Sequence, residues 1–322
     1  MKFAIVGAGA IGAFVGAMLK RSGQDVALIA RGPHLRALQQ HGLRICGESG
    51  EFVTHPIATD DPAVVGPVDV VLVTLKAHSL TSMAPRLAPL MGPQTSVVSM
   101  QNGIAWWYFY RHGGEWEGTS LESVDPGGII MKCIHPERVI GCIVYPSTTI
   151  VSPGVVRHIE GTRFALGEPD GRKSERCRQI ADAFITAGFR CPIRSHIRHD
   201  MWVKLIGNVA YNPISALTRA TLIEIVQCPE TRVLAAAIMA EAEAVANQLG
   251  IELGVSIDQR LNGAEKVGAH KTSMLQDIEA GKPTELEALV GPILELGDKL
   301  GLSLPNISSV YACVKLLTRS AS

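Results

Sequence analysis

The chain has 322 residues, 47% of them apolar and 19% charged, with 30 basic side chains balancing 30 acidic ones. That length and composition describe a globular protein with core enough for about two ordinary domains. A formal charge of zero offers no global positive field to a nucleic acid or an anionic membrane, so neither is expected as a partner.

The first strand is expected to start at Lys2 or Phe3, which leaves no room for a cleavable leader. Phe3-Ala4-Ile5-Val6 is a short apolar run that ends at glycine, and a helix follows from Ile11 to about Arg21. Asp25 to Ala30 reads as the next strand, bounded by Ser22-Gly23 and Gly32-Pro33. Asp69 to Leu75 and Ser96 to Met100 are apolar runs of buried-strand length. Together these predict a parallel sheet covered by helices on both faces. Arg138 to Leu166 breaks into strand-like pieces, predicted to be antiparallel additions at the sheet edge, and a helix at about 175–187 closes this half. From residue 200 onward the periodicity is helical: Met201–Tyr211, Thr231–Leu249, Ser256–Ala280, Thr284–Leu300 and Asn306–Thr318. Glu241 and Glu243 interrupt the most apolar helical stretch, Val233 to Leu249, so no membrane span is expected. The fold class is α/β: a doubly wound Rossmann-type domain with antiparallel additions over 1–195, then an all-α domain over 196–322. Seven cysteines, scattered and never in a CxxC pair, fit reduced core thiols in a cytoplasmic protein.

Gly7-Ala8-Gly9-Ala10-Ile11-Gly12 is a GxGxxG placed after a strand and opening a helix. Gly7 allows a tight turn, Gly9 lets the backbone approach a pyrophosphate, and Gly12 lets helix and strand pack closely. The helix N-terminus adds free N–H groups and a positive dipole. A dinucleotide is the expected cofactor. The end of the second strand selects which one. NAD would want a carboxylate there, whereas Ile29-Ala30-Arg31 offers an arginine suited to a 2′-phosphate, so NADP(H) is expected. Lys76 and Asn102 each follow another strand end, where ligands of such sheets bind, and both are candidate cofactor or substrate contacts.

In the helical half, Lys204, Asn208 and Asn212 fall at i, i+4 and i+8, one polar stripe on a helix otherwise apolar almost all round. The stripe faces either a strip of solvent or a wet cleft holding a polar ligand. Pro213 is expected to end or kink that helix. Glu285 is placed in the first turn of a later helix with Thr284 as its cap, where its plain role is to favour the helix dipole. His270 has no metal-like partner at useful spacing, and no metal is expected.

Taken in order, GAGAIG at 7–12, Arg31, LVTLKA at 72–77, QNG at 101–103, WVKLIGN at 202–208, NPISALT at 212–218, TSMLQDI at 272–278 and TELE at 284–287 resemble the ketopantoate reductase (2-dehydropantoate 2-reductase) family over nearly the whole length. The resemblance implies NADPH-dependent reduction of 2-dehydropantoate to pantoate in pantothenate synthesis. It implies that Lys204 donates the proton to the ketone oxygen and that Asn208, Asn212 and Ser273 bind the substrate's carboxylate and hydroxyl. Glu285 would be a second functional carboxylate beside nicotinamide and substrate. Arg31, Lys76 and Asn102 would belong to the cofactor site, with Asn102 also near substrate. An ammonium within reach of the developing alkoxide is chemically apt for that reaction.

Two features depart from the family's pattern. Trp106-Trp107-Tyr108-Phe109-Tyr110 and Trp116 place six of sixteen aromatics in eleven residues, either as a lid or enlarged apolar wall, or as a dimer contact or local plug. Thr218 to Leu222 offers no asparagine where some relatives use one for substrate. Both leave open a sister reductase for another branched or aromatic 2-keto acid. A non-catalytic NADP(H) sensor on the same fold is the further alternative, and a homodimer stays open.

Overall fold

The structure, a computed structural model, describes residues 1–319 and divides into two compact units. The first comprises Met1–Gln101, Ala105–Ser120 and Asp125–Ile197. The second takes Asn102–Ile104, Leu121–Val124 and the chain from Arg198 onward.

In the first unit the strands are β1 (Lys2–Val6), β2 (Asp25–Ile29), β3 (Leu43–Gly47), β4 (Phe52–Thr54), β5 (Ile57–Thr59), β6 (Val68–Val73), β7 (Met91–Ser99), β8 (Val139–Val144), β9 (Ser147–Ser152), β10 (Val155–Glu160) and β11 (Phe164–Gly167). Seven of them form one sheet in the order β11-β8-β7-β6-β1-β2-β5. Every pairing in it is parallel except β8 with β11 at the edge. Phe3 to Val6 and Val70 to Val73 are buried on both faces, which explains why they read as continuous apolar runs rather than alternating ones.

The segment 138–166 corrects the sequence reading. Only β11 is an antiparallel addition to the main sheet, and β8 joins it parallel to β7. The remaining pieces, β9 and β10, leave for a second sheet of order β4-β3-β10-β9. Its parallel pairing of β10 with β3 brings together segments more than a hundred residues apart, and local pattern carries no trace of that. The helix α1 (Ala10–Arg21) lies between the two sheets. Gly16 sits against Leu28 of the main sheet, while the Phe14 ring stacks on buried His158 of the second at 4.4 Å.

Five further α-helices lie in this unit: α2 (Gly32–His41), α3 (Pro62–Val65), α4 (Ala77–Met83), α5 (Ile129–Cys133) and α6 (Glu175–Thr186). Of the cysteines, Cys142, Cys177 and Cys191 are core thiols, and burial pushes Cys177 and Cys191 up to about 12. Cys46 and Cys133 are half-buried and Cys228 and Cys313 exposed, so the reading as core thiols holds for three of the seven.

The aromatic run is a plug inside this unit, not a lid. Trp106, Trp107, Tyr108 and Phe109 are all buried. An edge of the Trp107 ring fills the space where β8 has no side chain, since a Cβ on Gly141 would stand 2.7 Å from its Cη2. The turn beyond it is pinned by Glu117, which accepts from the backbone N–H groups of Arg111 and Gly113.

The second unit is helical: α7 (Ile197–Thr218), α8 (Leu222–Gln227), α9 (Pro229–Gln248), α10 (Ile257–Val267), α11 (Ser273–Glu279), α12 (Leu286–Leu289), α13 (Gly291–Leu300) and α14 (Pro305–Arg319). The single helix expected over 256–280 is two. Gly268 at φ +79° breaks it, and each half has its own cap, Ser256 with Gln259 and Thr272 with the Leu275 N–H. The helix carrying Pro213 is neither ended nor broken there. It runs to Thr218 because Ile214, Ser215 and Ala216 are buried beyond the proline and outweigh its one missing hydrogen bond. Among the described residues no helix is long and apolar enough to cross a membrane.

Replacing Trp107 by Ala should leave a cavity over Gly141 and cost about 3–5 kcal/mol in a urea melt. A loss under about 1 kcal/mol would show that the aromatic run is not a structural plug.

Candidate active site

The cofactor candidates are built by backbone constraint. Gly7 has φ +105°, accessible without strain only to glycine. A side chain at Gly12 would run into the Gly7 carbonyl and the Thr74 hydroxyl, while Gly9 meets nothing within 4 Å and leaves its side open. Thr74, at the end of β6, fixes the turn by donating from Oγ1 to the Gly7 carbonyl at 2.6 Å. The helix α1 starts at Ala10 with no side-chain cap on its first N–H groups. A glycine turn open on one side, followed by uncapped helix donors, fits the pyrophosphate of a dinucleotide.

Arg31 follows β2 in extended backbone, is exposed, and stands at the N-cap of α2. Lys76 takes the same place after β6, at the N-cap of α4. His34, one turn into α2, was not singled out by sequence. It is close enough to the Ala8 backbone to feel it, and its Nδ1 accepts from the Gly154 N–H at 3.1 Å. Burial lowers its pKa, with Ala8 acting the other way, so it is neutral near pH 7.

The helical unit assembles the remaining candidates on α7. Of residues 201–212, only Val203, Lys204, Gly207 and Asn208 are half-exposed, and the others are buried. Together they form one strip along the helix, which takes in Lys204 and Asn208 of the expected polar stripe but not Asn212, which is buried. Lys204 donates from Nζ to Asn102 Oδ1 at 2.8 Å.

Asn102 is held there by its neighbour. Gly103 has φ +87°, and a Cβ on it would run into the Ala288 carbonyl of α12. The 102–104 segment is thereby tied to the helical unit, although it directly follows the strands of the first. Glu285 stands at the N-cap of this same α12, half-exposed. It is itself the cap residue, so Thr284 is not the cap that the sequence suggested.

Asn212 is buried at the far end of the stripe, its Nδ2 3.5 Å from Ser273 Oγ in the first turn of α11. That is a contact at the limit of hydrogen bonding. On the opposite flank, Arg260 of α10 donates from Nη1 to the Val203 carbonyl at 2.9 Å. Two groups of this neighbourhood, Tyr211 and Arg260, were missed in the sequence because neither belongs to a spaced motif. Among the described residues no group of three or more His, Cys, Asp or Glu is placed to hold a metal ion.

Residues 3–108 match the ketopantoate reductase PanE/ApbA family model, and residues 196–318 match that of its C-terminal domain. The chain belongs to the ketopantoate reductase family. It is 48% identical to the 2-dehydropantoate 2-reductase of Mesorhizobium japonicum over 98% of each chain. The corresponding enzyme of Archaeoglobus fulgidus is 32% identical over 92% of this chain and 91% of its own. Among solved structures, one from Ralstonia solanacearum MolK2 matches with a TM-score of 0.95 at 39% identity, over 99% of this chain and 98% of that one.

Because Gly103 carries Asn102, its replacement should act on the Lys204 contact as well as on folding. Gly103→Ala is expected to lose more than about 1 kcal/mol of stability in chemical denaturation, from a positive φ and a blocked approach together. A variant as stable as the parent would place the 102–104 segment elsewhere.

Proposed function

We propose that this reductase converts 2-dehydropantoate to pantoate with NADPH, within pantothenate synthesis in the cytoplasm. The observation that carries the reading is the Lys204 ammonium, placed on the one half-exposed strip of a buried helix and oriented by Asn102. Family membership and the 2-dehydropantoate 2-reductase relatives support the substrate. NADPH is preferred to NADH because Arg31 stands at the end of β2, where a carboxylate would repel a 2′-phosphate.

The chemistry divides simply. When bound, NADPH supplies the hydride that reduces the carbonyl carbon. Lys204 hydrogen-bonds the ketone oxygen, stabilises the negative charge that grows on it, and passes it a proton to complete the hydroxyl. The neutral amine is then reprotonated from solvent. The Asn102 amide oxygen accepts from the ammonium and so fixes its direction before substrate arrives, which lowers the reorganisation needed during the reaction. Asn208, Asn212 and Ser273 hold the substrate's polar groups, and Glu285 faces the reacting centre as its carboxylate. Arg31, Lys76 and the turn from Gly7 to Gly12 hold the cofactor.

A sister activity on another 2-keto acid is favoured by one observation, the absence of any asparagine from Thr218 to Leu222. Both readings share the role of Lys204. Lys204→Ala should lower kcat by at least about 100-fold, followed as NADPH oxidation at 340 nm, with NADPH affinity unchanged. Turnover close to the parent's would remove Lys204 from the chemistry. Arg31→Ala should raise the KM for NADPH at least about tenfold and leave that for NADH nearly unchanged. An equal effect on both cofactors would contradict the assignment of the 2′-phosphate to Arg31.

A further inference from the structure

The one-turn helix α12 carries more of the site than its four residues can keep in place alone. Glu285 is its N-cap, and the Ala288 carbonyl further along it is the surface on which Gly103, and with it Asn102, is seated. A single helical turn fixes several backbone dihedrals for very few hydrogen bonds, so it is not stable unaided. Here the bonds run from the Leu289 N–H to the Glu285 carbonyl at 3.0 Å and from the Val290 N–H to the Leu286 carbonyl at 2.9 Å. Leu286, Ala288 and Leu289 are buried and secure one side of the turn. Glu287 is exposed, and α14 meets it there.

Tyr311 of α14 donates from Oη to Glu287 Oε2 at 2.8 Å and stands 3.0 Å from Oε1. Lys315, one turn further along α14, donates from Nζ to Tyr311 Oη at 2.8 Å and pairs with Glu287 Oε1 at 3.0 Å. Each donor in this triangle has a defined direction. Burial raises the pKa of the phenol, and the bonds to Tyr311 and Glu287 raise that of the ammonium. Near pH 7 Lys315 is therefore charged, the phenol keeps its proton, and the carboxylate accepts from both.

An exposed ion pair by itself is worth little, because water screens it and two long side chains must be ordered. The phenol changes that balance. Its ring stands on a helix anchored by buried Ile307, Val310 and Val314, and its hydroxyl adds a charge-assisted bond to the carboxylate. The next helix, α13, has a separate tether. Its Glu295 accepts from the N–H groups of Glu122 and Ser123 at 3.0 and 2.9 Å and from Ser123 Oγ at 2.7 Å.

We propose that Tyr311, backed by Lys315, is a positioning residue of the reductase: through Glu287 it places α12, and through α12 it places Glu285 and the Asn102 that orients Lys204. The proposal rests on the reductase reading and adds to it residues that act through others. When the tether is cut, α12 loosens, Gly103 loses its seat and the Lys204 ammonium loses its fixed acceptor. The chemical step slows, while the turn from Gly7 to Gly12, which belongs to the other unit, keeps its cofactor contacts.

The test compares Tyr311→Phe, Glu287→Ala, Glu287→Gln and the double variant Tyr311→Phe/Glu287→Ala. Turnover is followed as NADPH oxidation with whichever of 2-dehydropantoate, 2-oxoisovalerate and phenylpyruvate the parent reduces fastest. Amide hydrogen exchange of the ligand-free proteins is read in peptides spanning 102–104 and 285–290. Tyr311→Phe and Glu287→Ala should each lower kcat about three- to tenfold at an unchanged KM for NADPH, and quicken exchange in both segments. Glu287→Gln keeps an oxygen that accepts from the phenol and should retain at least about half of the parental kcat. The double variant should be no slower than Glu287→Ala, because both changes break the same contact. Parental kcat and exchange in Tyr311→Phe and Glu287→Ala overturn the positioning role and leave the reductase reading intact. Losses of kcat that add in the double variant, or exchange that quickens evenly through the helical unit, overturn it as well, since they mark general destabilisation. A parent that oxidises NADPH with none of the three acids overturns the reductase reading and the positioning role with it.

Discussion

The hydrogen bond from Lys204 to Asn102 joins two stretches a hundred residues apart, and the account of this reductase depends on it. A lysine on a long flexible stem is a poor catalyst unless something decides where its ammonium points, because its side chain has many rotamers to lose. Here the direction is set by backbone rather than by another flexible group. Gly103 can take its positive φ and lie against the Ala288 carbonyl only because it has no Cβ, and that places the Asn102 amide where the ammonium can donate to it. Burial of the rest of α7 does the remainder, since Trp202, Leu205, Ile206, Val209 and Ala210 lock the helix and leave one strip open.

The same logic, glycine where two backbones must approach, governs the turn after β1. Gly12 is closed in by the Gly7 carbonyl and Thr74, whereas Gly9 meets nothing within 4 Å, so one turn contains both a packing glycine and an open one. Gly141 is a third case. It yields its space to Trp107, and that is how an aromatic segment conspicuous enough to suggest a lid becomes part of the core.

How much was legible in the sequence follows from how local each constraint is. The turn from Gly7 to Gly12 and the stripe of Lys204, Asn208 and Asn212 were readable because they are written in spacings of a few residues, set by φ restrictions and by the helical repeat. The second sheet was not, because β3 and β10 pair across more than a hundred residues and nothing in either strand names its partner. The break at Gly268 was hidden by helical periodicity that continues across it, although Ser256 and Thr272 each carry a cap signal. Pro213 does not end its helix, since tertiary burial of Ile214 and Ala216 outweighs the lost hydrogen bond. The unpaired donors of Tyr211 and Arg260 were invisible for a different reason, since the lack of a partner is a property that exists only once the chain is folded.

The most direct test of the account is a crystal structure of the protein with NADP⁺ and pantoate bound, read at a single atom. Lys204 Nζ should lie within hydrogen-bond distance of both the pantoate C2 hydroxyl oxygen and Asn102 Oδ1. An Nζ turned into solvent, with another side chain on that hydroxyl, would contradict it.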